Sequence, residues 1–319
     1  MIVVVYIDLA ASMLDGMRRR VAAAMALLSL AIGLLVAPTV LAAVDIEAGE
    51  QVAALVAQAR AFEHGEGVPR DVAQAIELYC AAAKLGDPEA QFSLGWIYAN
   101  GRGVARDNAL AALFFGIAAE QGHEYAKKML QFVGPSTAEI PECMLDPPAL
   151  ADATADITDE DEFVATTPEQ KQVAEIVQKL APEYRVSPLF ALAIIRAESN
   201  FDVNARSPKN AQGLMQLIPE TSVRFNVKKP FDPIQNIRGG LAYLRWLLAY
   251  FEGDVSLVAA AYNAGEGTVE KYRGIPPYSE TRAYVQRIKR YFRKSAHPYD
   301  ATVVDPSPDL AQILRVRAH

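Results

Sequence analysis

The chain is 319 residues long, 51% apolar and 22% charged, the composition of ordinary globular protein with room for two modest domains. Its net charge of −7 is unevenly spread: residues 131–167 carry nine Asp/Glu and no Lys/Arg, whereas 168–294 carry 19 Lys/Arg against 12 Asp/Glu. A basic module behind an acidic linker suits an anionic polymer. The absence of zinc spacing, an RNP-type aromatic motif or a Lys/Arg run argues against nucleic acid.

Residues 1–43 are expected to be a signal peptide. Met17-Arg-Arg-Arg20 is a positive n-region, Val21 to Val36 an apolar h-region, and Val40-Leu41-Ala42 offers small residues for cleavage. Asp8 and Asp15 fit no signal, so translation is expected to start at Met17. The apolar run is short and lacks a stop-transfer flank, which predicts a periplasmic protein with no stable membrane span in its mature form. Cys80 and Cys143 are the two cysteines; in an oxidising compartment they could form one disulfide, and spacing alone leaves this open. The four histidines, His64, His123, His297 and His319, show no metal-ligand spacing, and no cofactor is expected.

From 44 to 132 the sequence repeats. At a shift of 36 residues, His64-Gly-Glu-Gly-Val-Pro-Arg-Asp71 aligns with Asn100-Gly-Arg-Gly-Val-Ala-Arg-Asp107, followed by Ala75 on Ala111, Gly86 on Gly122 and Ala90 on Ala126. A fainter earlier copy sets Ala59 on Gly95 and Phe62 on Tyr98. Each unit predicts two helices joined by a glycine turn, with Asp71 or Asp107 capping the next helix. The segment resembles SEL-type repeats, relatives of the tetratricopeptide repeats, which implies a scaffold presenting a concave face to a protein partner. Two copies and a half fall short of the roughly three units a solenoid needs. The domain is therefore expected to pack against the catalytic module or a partner. Residues 133–167 are predicted to be a linker, with Asp159-Glu-Asp-Glu162 solvated and mobile.

The second domain, 168–294, opens with an amphipathic helix on Val173, Ile176, Val177, Leu180 and Ala181. Next, Ser187 and Pro188 supply an N-cap and first-turn residue to a helix in which every residue from Leu189 to Ala197 except Arg196 is apolar. Such a helix is buried on nearly all sides. It delivers Glu198 and Ser199 at its carboxy end, before the helix-stopping Asn200. The helix dipole and apolar surroundings both oppose ionisation there, so the Glu198 pKa is expected above its usual value of about 4.3. A turn-rich stretch with room for a short hairpin near 206–218 leads into Gly213-Leu-Met-Gln216. Asp232-Pro-Ile-Gln235 reads as near a capping box, and Gly239-Gly240 as a mark of close helix packing. Apolar helices follow at Val255–Asn263 and about Thr281–Lys294. The tail, 295–319, is assigned no chemistry. The fold class is predominantly all-α.

Glu198-Ser199, Gly213-Leu-Met-Gln216, Ala261-Tyr-Asn-Ala-Gly265 and Glu280-Thr-Arg-Ala-Tyr-Val285 occur in the order found in soluble-type lytic transglycosylases, whose catalytic domain is similar to goose-type lysozyme. The resemblance spans roughly 168–294. It implies cleavage of the β-1,4 bond between N-acetylmuramic acid and N-acetylglucosamine in peptidoglycan glycan strands, leaving a 1,6-anhydromuramic end. By position it implies Glu198 as sole acid/base and Ser199, Ser207, Gly213, Leu214, Met215, Gln216, Tyr262, Asn263, Glu280 and Tyr284 as substrate-binding or supporting residues. Ordinary glycosidases use two carboxyls about 5 to 9.5 Å apart. Here Asp202 follows the helix break and Glu220 sits where a helix would start. Two alternatives stay open: a lysozyme-like hydrolase on the same fold, and a non-catalytic wall scaffold acting through its repeats.

Overall fold

The computed structural model describes residues 49–145 and 163–316. The expected signal peptide and the Asp159–Glu162 run lie outside the described residues. Those described are all-α, with isolated β-bridges but no strand.

The repeats form α1 (49–64), α2 (Val72–Lys84), α3 (Pro88–Asn100), α4 (Asn108–Glu120) and α5 (Glu124–Val133). The glycine turns sit in the left-handed region at Gly65, Gly67, Gly101 and Gly103, where a Cβ is costly. Each helix then starts on a side-chain acceptor. Asp71 takes the Gln74 amide, and Asp107 takes those of Ala109 and Leu110. His123 accepts the Ala126 amide through Nδ1, so this histidine is a helix cap. A Cβ on Gly95 would lie 2.6 Å from the Phe115 ring, and this bare position lets α3 and α4 close on each other. Glu63, buried between the units, is held by Tyr79 Oη at 2.9 Å and Arg102 Nη1 at 2.9 Å. A disulfide joins Cys80 to Cys143. With Met144 buried and Lys84 Nζ donating to the Leu145 carbonyl, it fastens residues 142–145 to α2.

The second domain holds α6 (Pro168–Leu180), α7 (Pro188–Ser199), α8 (Pro219–Arg224), α9 (Pro233–Tyr250), α10 (Val255–Ala264), α11 (Glu266–Lys271) and α12 (Ser279–Tyr291). Helix α7 is the centre: Phe190 through Ile195 are all buried, packed by α6 and α12. Each large side chain so placed contributes about 1.5–3 kcal/mol. Ser187 has N-cap backbone geometry but makes no side-chain cap bond. Its amide instead donates to His297 Nε2 at 2.8 Å. At α9, Asp232 caps the Gln235 amide, but Gln235 reaches back to Lys229 N rather than completing a capping box. The Gly239-Gly240 pair admits a loop, not a helix: Cβ atoms there would lie 2.2 Å from Val227 and from Met215 Sδ. The expected hairpin is reduced to the bridges Arg206–Gln212 and Gln212–Leu217. Helix α12 ends at Tyr291, because Phe292 turns extended and packs its ring 4.9 Å from Phe190.

The tail folds back on this domain. His297 and Ser307 are buried, Asp300 pairs with Arg245 at 2.9 Å and Arg185 at 3.1 Å, and Leu310 and Ile313 of α13 (Leu310–Val316) join the core. The repeats also dock on the second domain. Gln91 Nε2 donates to the Pro277 carbonyl at 2.9 Å, and Lys271 Nζ meets Glu120 at 2.6 Å. No helix among the described residues is long and apolar enough to cross a membrane.

Candidate active site

Helix α7 carries Glu198 as its penultimate residue and breaks at Asn200, which takes φ 48°. The carboxyl faces a cleft of about 800 Å³ bounded by the loop 207–218, Tyr243 of α9, the end of α10, the face of α12 and the last residue of α4. Tyr284 Oη donates to Glu198 Oε1 at 2.7 Å. Burial pushes the Glu198 carboxyl up to about 7, while the Tyr284 hydroxyl and the Arg287 charge pull the other way and Glu280 adds to the rise. A glutamic acid so placed keeps its proton near neutral pH. Burial also raises Tyr262 and Tyr284 well above the usual tyrosine value, with the Glu198 charge reinforcing it, so both phenols stay protonated donors.

The loop beside Glu198 is built backwards from α9. Buried Asn236 accepts the Met215 amide at 2.8 Å and donates to the carbonyls of Gln212 at 2.9 Å and Pro230 at 2.8 Å. Gly213 lies against this clamp at φ 76°, where a Cβ would sit 2.3 Å from the Pro230 carbonyl oxygen. Leu214 and Met215 are fully buried under the loop. Ser199 Oγ donates to Leu214 O at 2.7 Å, and Tyr262 Oη to Met215 O at 2.8 Å. The loop is thereby tied to α7 on one side and α10 on the other.

Of the residues expected at the site, Glu198, Ser207, Gln216, Tyr262, Asn263, Glu280 and Tyr284 line the cleft. Ser199, Gly213, Leu214 and Met215 do not. They lie behind it, where Ser199 Oγ holds the Leu214 carbonyl and Asn236 holds the Met215 amide. Gln216 Nε2 is itself turned to the carbonyls of Gly213 at 2.8 Å and Ala205 at 3.0 Å. Asn263 Oδ1 accepts from Thr281 Oγ1 at 2.8 Å. Glu280 is largely exposed, 4.0 Å from Lys209. Asp202 accepts the Asn204 amide in a surface turn, and Glu220 stands in the first turn of α8.

Sequence reasoning missed Asn236, Thr281, Arg287 and the two residues Glu120 and Gln121. The first three had a signal. Asn236 precedes Gly239, Gly240 and Tyr243 at helical spacing, and Thr281 and Arg287 share a helical face with Tyr284. Glu120 and Gln121 had none, because they reach the cleft from the other domain.

A half-buried carboxylic acid at the end of a core helix, opening on a cleft in an all-α scaffold, is an arrangement suited to acid/base chemistry. Residues 175–285 match the family described as the Transglycosylase SLT domain, and 52–87 and 88–123 match the Sel1 repeat. The chain therefore carries an SLT transglycosylase domain preceded by two Sel1 repeats. It is 37% identical over 128 residues to a protein of Haemophilus influenzae called putative soluble lytic murein transglycosylase, covering 33% of this chain and 22% of that one. With the soluble lytic murein transglycosylase of Escherichia coli it shares 33% over 125 residues, 32% of this chain and 19% of the relative. With the membrane-bound lytic murein transglycosylase C of Actinobacillus pleuropneumoniae it shares 31% over 169 residues, 40% and 46% respectively. The chain thus spans less than half the length of each of these relatives. The crystal structure of the 70 kDa soluble lytic transglycosylase of Escherichia coli aligns over 69% of this chain and 32% of its own, at 20% identity and a TM-score of 0.34.

Proposed function

We propose that the protein is a periplasmic peptidoglycan lytic transglycosylase that uses Glu198 as its single acid/base to cleave the β-1,4 bond between N-acetylmuramic acid and N-acetylglucosamine. The observation that carries this reading is the Glu198 carboxyl, half-buried at the floor of the cleft and raised to about 7. Tyr284 occupies Oε1, leaving Oε2 to carry the transferable proton. Protonated Glu198 gives that proton to the leaving glycosidic oxygen as the bond to the anomeric carbon breaks. The muramoyl N-acetyl group stabilises the resulting cation. The Glu198 carboxylate then takes the proton of the sugar's own 6-hydroxyl, whose oxygen closes the 1,6-anhydro ring. Asn263 and Gln216 offer amides for the acetamido groups, and the similarity to murein transglycosylases supports murein as substrate. The basic and then apolar sequence expected to be a signal peptide within residues 1–43 supports the periplasmic location.

One observation favours a second reading. Glu280 is another carboxylate on the cleft wall, and an inverting hydrolase would use such a group to activate water. Mass spectrometry of digested sacculi separates the two. Anhydro products, lighter than hydrolytic ones by one water or about 18 Da, support the lytic reaction, with activity lost in Glu198→Gln and retained in Glu280→Gln. Hydrolytic masses sink it.

A further inference from the structure

The face of α12 presents Glu280, Thr281, Tyr284 and Arg287 to the cleft, yet its amino end has no capping side chain of its own. That end is finished by the repeat domain. Ser279 N, the first helical amide, donates to Gln121 Oε1 at 2.9 Å. Gln121 Nε2 in turn donates to Gln91 Oε1 at 2.7 Å, and buried Gln91 holds the Pro277 carbonyl at 2.9 Å. One residue earlier, the Glu120 carboxylate accepts from Lys271 Nζ at 2.6 Å, from Tyr272 Oη at 2.8 Å and from the Tyr278 hydroxyl. Burial resists its charge, but Lys271, Tyr278 and Tyr272 together hold the carboxyl below the usual range, so it is an ionised anchor. The turn glycine Gly86 completes the contact. A Cβ there would lie 2.3 Å from Ser279 N, so the repeat's backbone is pressed against the start of the helix.

We infer that Glu120 and Gln121 are positioning residues of the catalytic unit: the Sel1 domain caps α12 from outside and holds the cleft wall that places Tyr284 and Arg287 on Glu198. This rests on the lytic reading above. Glu120 and Gln121 also border the cleft, but their polar atoms are committed to residues 271–279 and to Gln91, so they act through α12 rather than on substrate. A helix that loses its cap frays in its first turn, where the loss corresponds to a roughly twofold to thirtyfold change in the helical equilibrium. Here that turn holds Glu280 and Thr281, and Thr281 is the residue that orients Asn263.

The test uses the mature full chain with Glu120→Gln and Gln121→Ala, beside wild type and Glu198→Gln. Release of muropeptides from sacculi gives kcat and KM, carboxyl carbon NMR gives the titration of Glu198, and thermal melting reports folding. The expected result is a kcat lowered roughly threefold to tenfold in each variant with KM changed less, and a Glu198 titration displaced from that of wild type, because the Tyr284 and Arg287 contributions that lower it and the Glu280 contribution that raises it are all carried by α12. A domain linkage with only a structural role would lower the melting temperature and leave kcat and the Glu198 titration unmoved; that outcome overturns the inference. Should Gln121→Ala melt early, Glu120→Gln keeps the side chain's shape and carries the comparison. Wild type that releases nothing refutes the proposed reaction itself, whereas active wild type with unchanged variants refutes only the positioning.

Discussion

Replacing Glu198 by Gln is expected to abolish the chemistry and stabilise the fold, and the size of the gain follows from the titration. The carboxyl rises from an ordinary value of 4.5 to about 7 on folding. At about 1.4 kcal/mol per unit, those roughly two and a half units amount to about 3.5 kcal/mol, and solvent screening of a half-buried group trims this to at most about 3 kcal/mol. The sign is fixed by which state holds the proton. Below pH 4.5 the acid is protonated folded and unfolded, and there is no penalty. Between 4.5 and about 7 the unfolded chain releases the proton while the folded one keeps it, so stability falls as pH rises, and above 7 the full penalty is present. Gln is neutral throughout and can still accept the Tyr284 hydroxyl. The variant should therefore match wild type near pH 4 and exceed it by up to about 3 kcal/mol at pH 8.5, roughly 6–10 °C in melting temperature for a unit of this size. Denaturant titrations of both proteins at the two pH values measure it. A difference that is the same at both pH values, or a Gln variant less stable at pH 8.5, would refute the reasoning.

Three further outcomes are expected. Asn236→Ala leaves the Met215 amide and the Pro230 carbonyl without their partner and the Gln212 carbonyl with the Leu217 amide alone; it should cost about 2–4 kcal/mol and remove lytic activity, read by denaturation and sacculus digestion. His297 is buried with Nε2 accepting the Ser187 amide, and burial holds its pKa below 6.5, against the pull of the Pro298 carbonyl. The unfolded chain therefore takes up a proton first as pH falls below 6.5, and stability should drop there. Measured in a Glu198→Gln background, which removes the opposing slope, that drop should flatten when His297→Gln is added. Cys80 and Cys143 close a 63-residue separation, so Cys143→Ser should lower stability by about 2–4 kcal/mol and open residues 135–145 to proteolysis.

What could be foreseen from sequence was whatever local chemistry dictates. Asp71, Asp107 and Asp232 announced helix starts because a short acceptor before a helix has few other uses, and α7 announced its burial by an apolar run broken only at Arg196. Glu198 followed from its place at the end of that helix taken together with the ordered motifs at 213–216, 261–265 and 280–285. The supporting places of Ser199 and Gly213 were not legible, since a motif reports that residues are needed together and not which of them faces the ligand. Gly239-Gly240 misled for a related reason. Bare backbone invites close approach, but only the fold decides that Val227 and Met215 fill it. Gln121 was invisible because its partner, Ser279, is 158 residues away.

The strap formed by the tail has a practical consequence for anyone cutting the gene. The matched domain stops at 285, in the middle of α12 and before Phe292, His297, Ser307, Leu310 and Ile313 reach their seats. A fragment trimmed to those borders would bare the underside of α7, the helix that carries the acid, to water. An expression boundary drawn beyond residue 314 keeps the enzyme's floor in place.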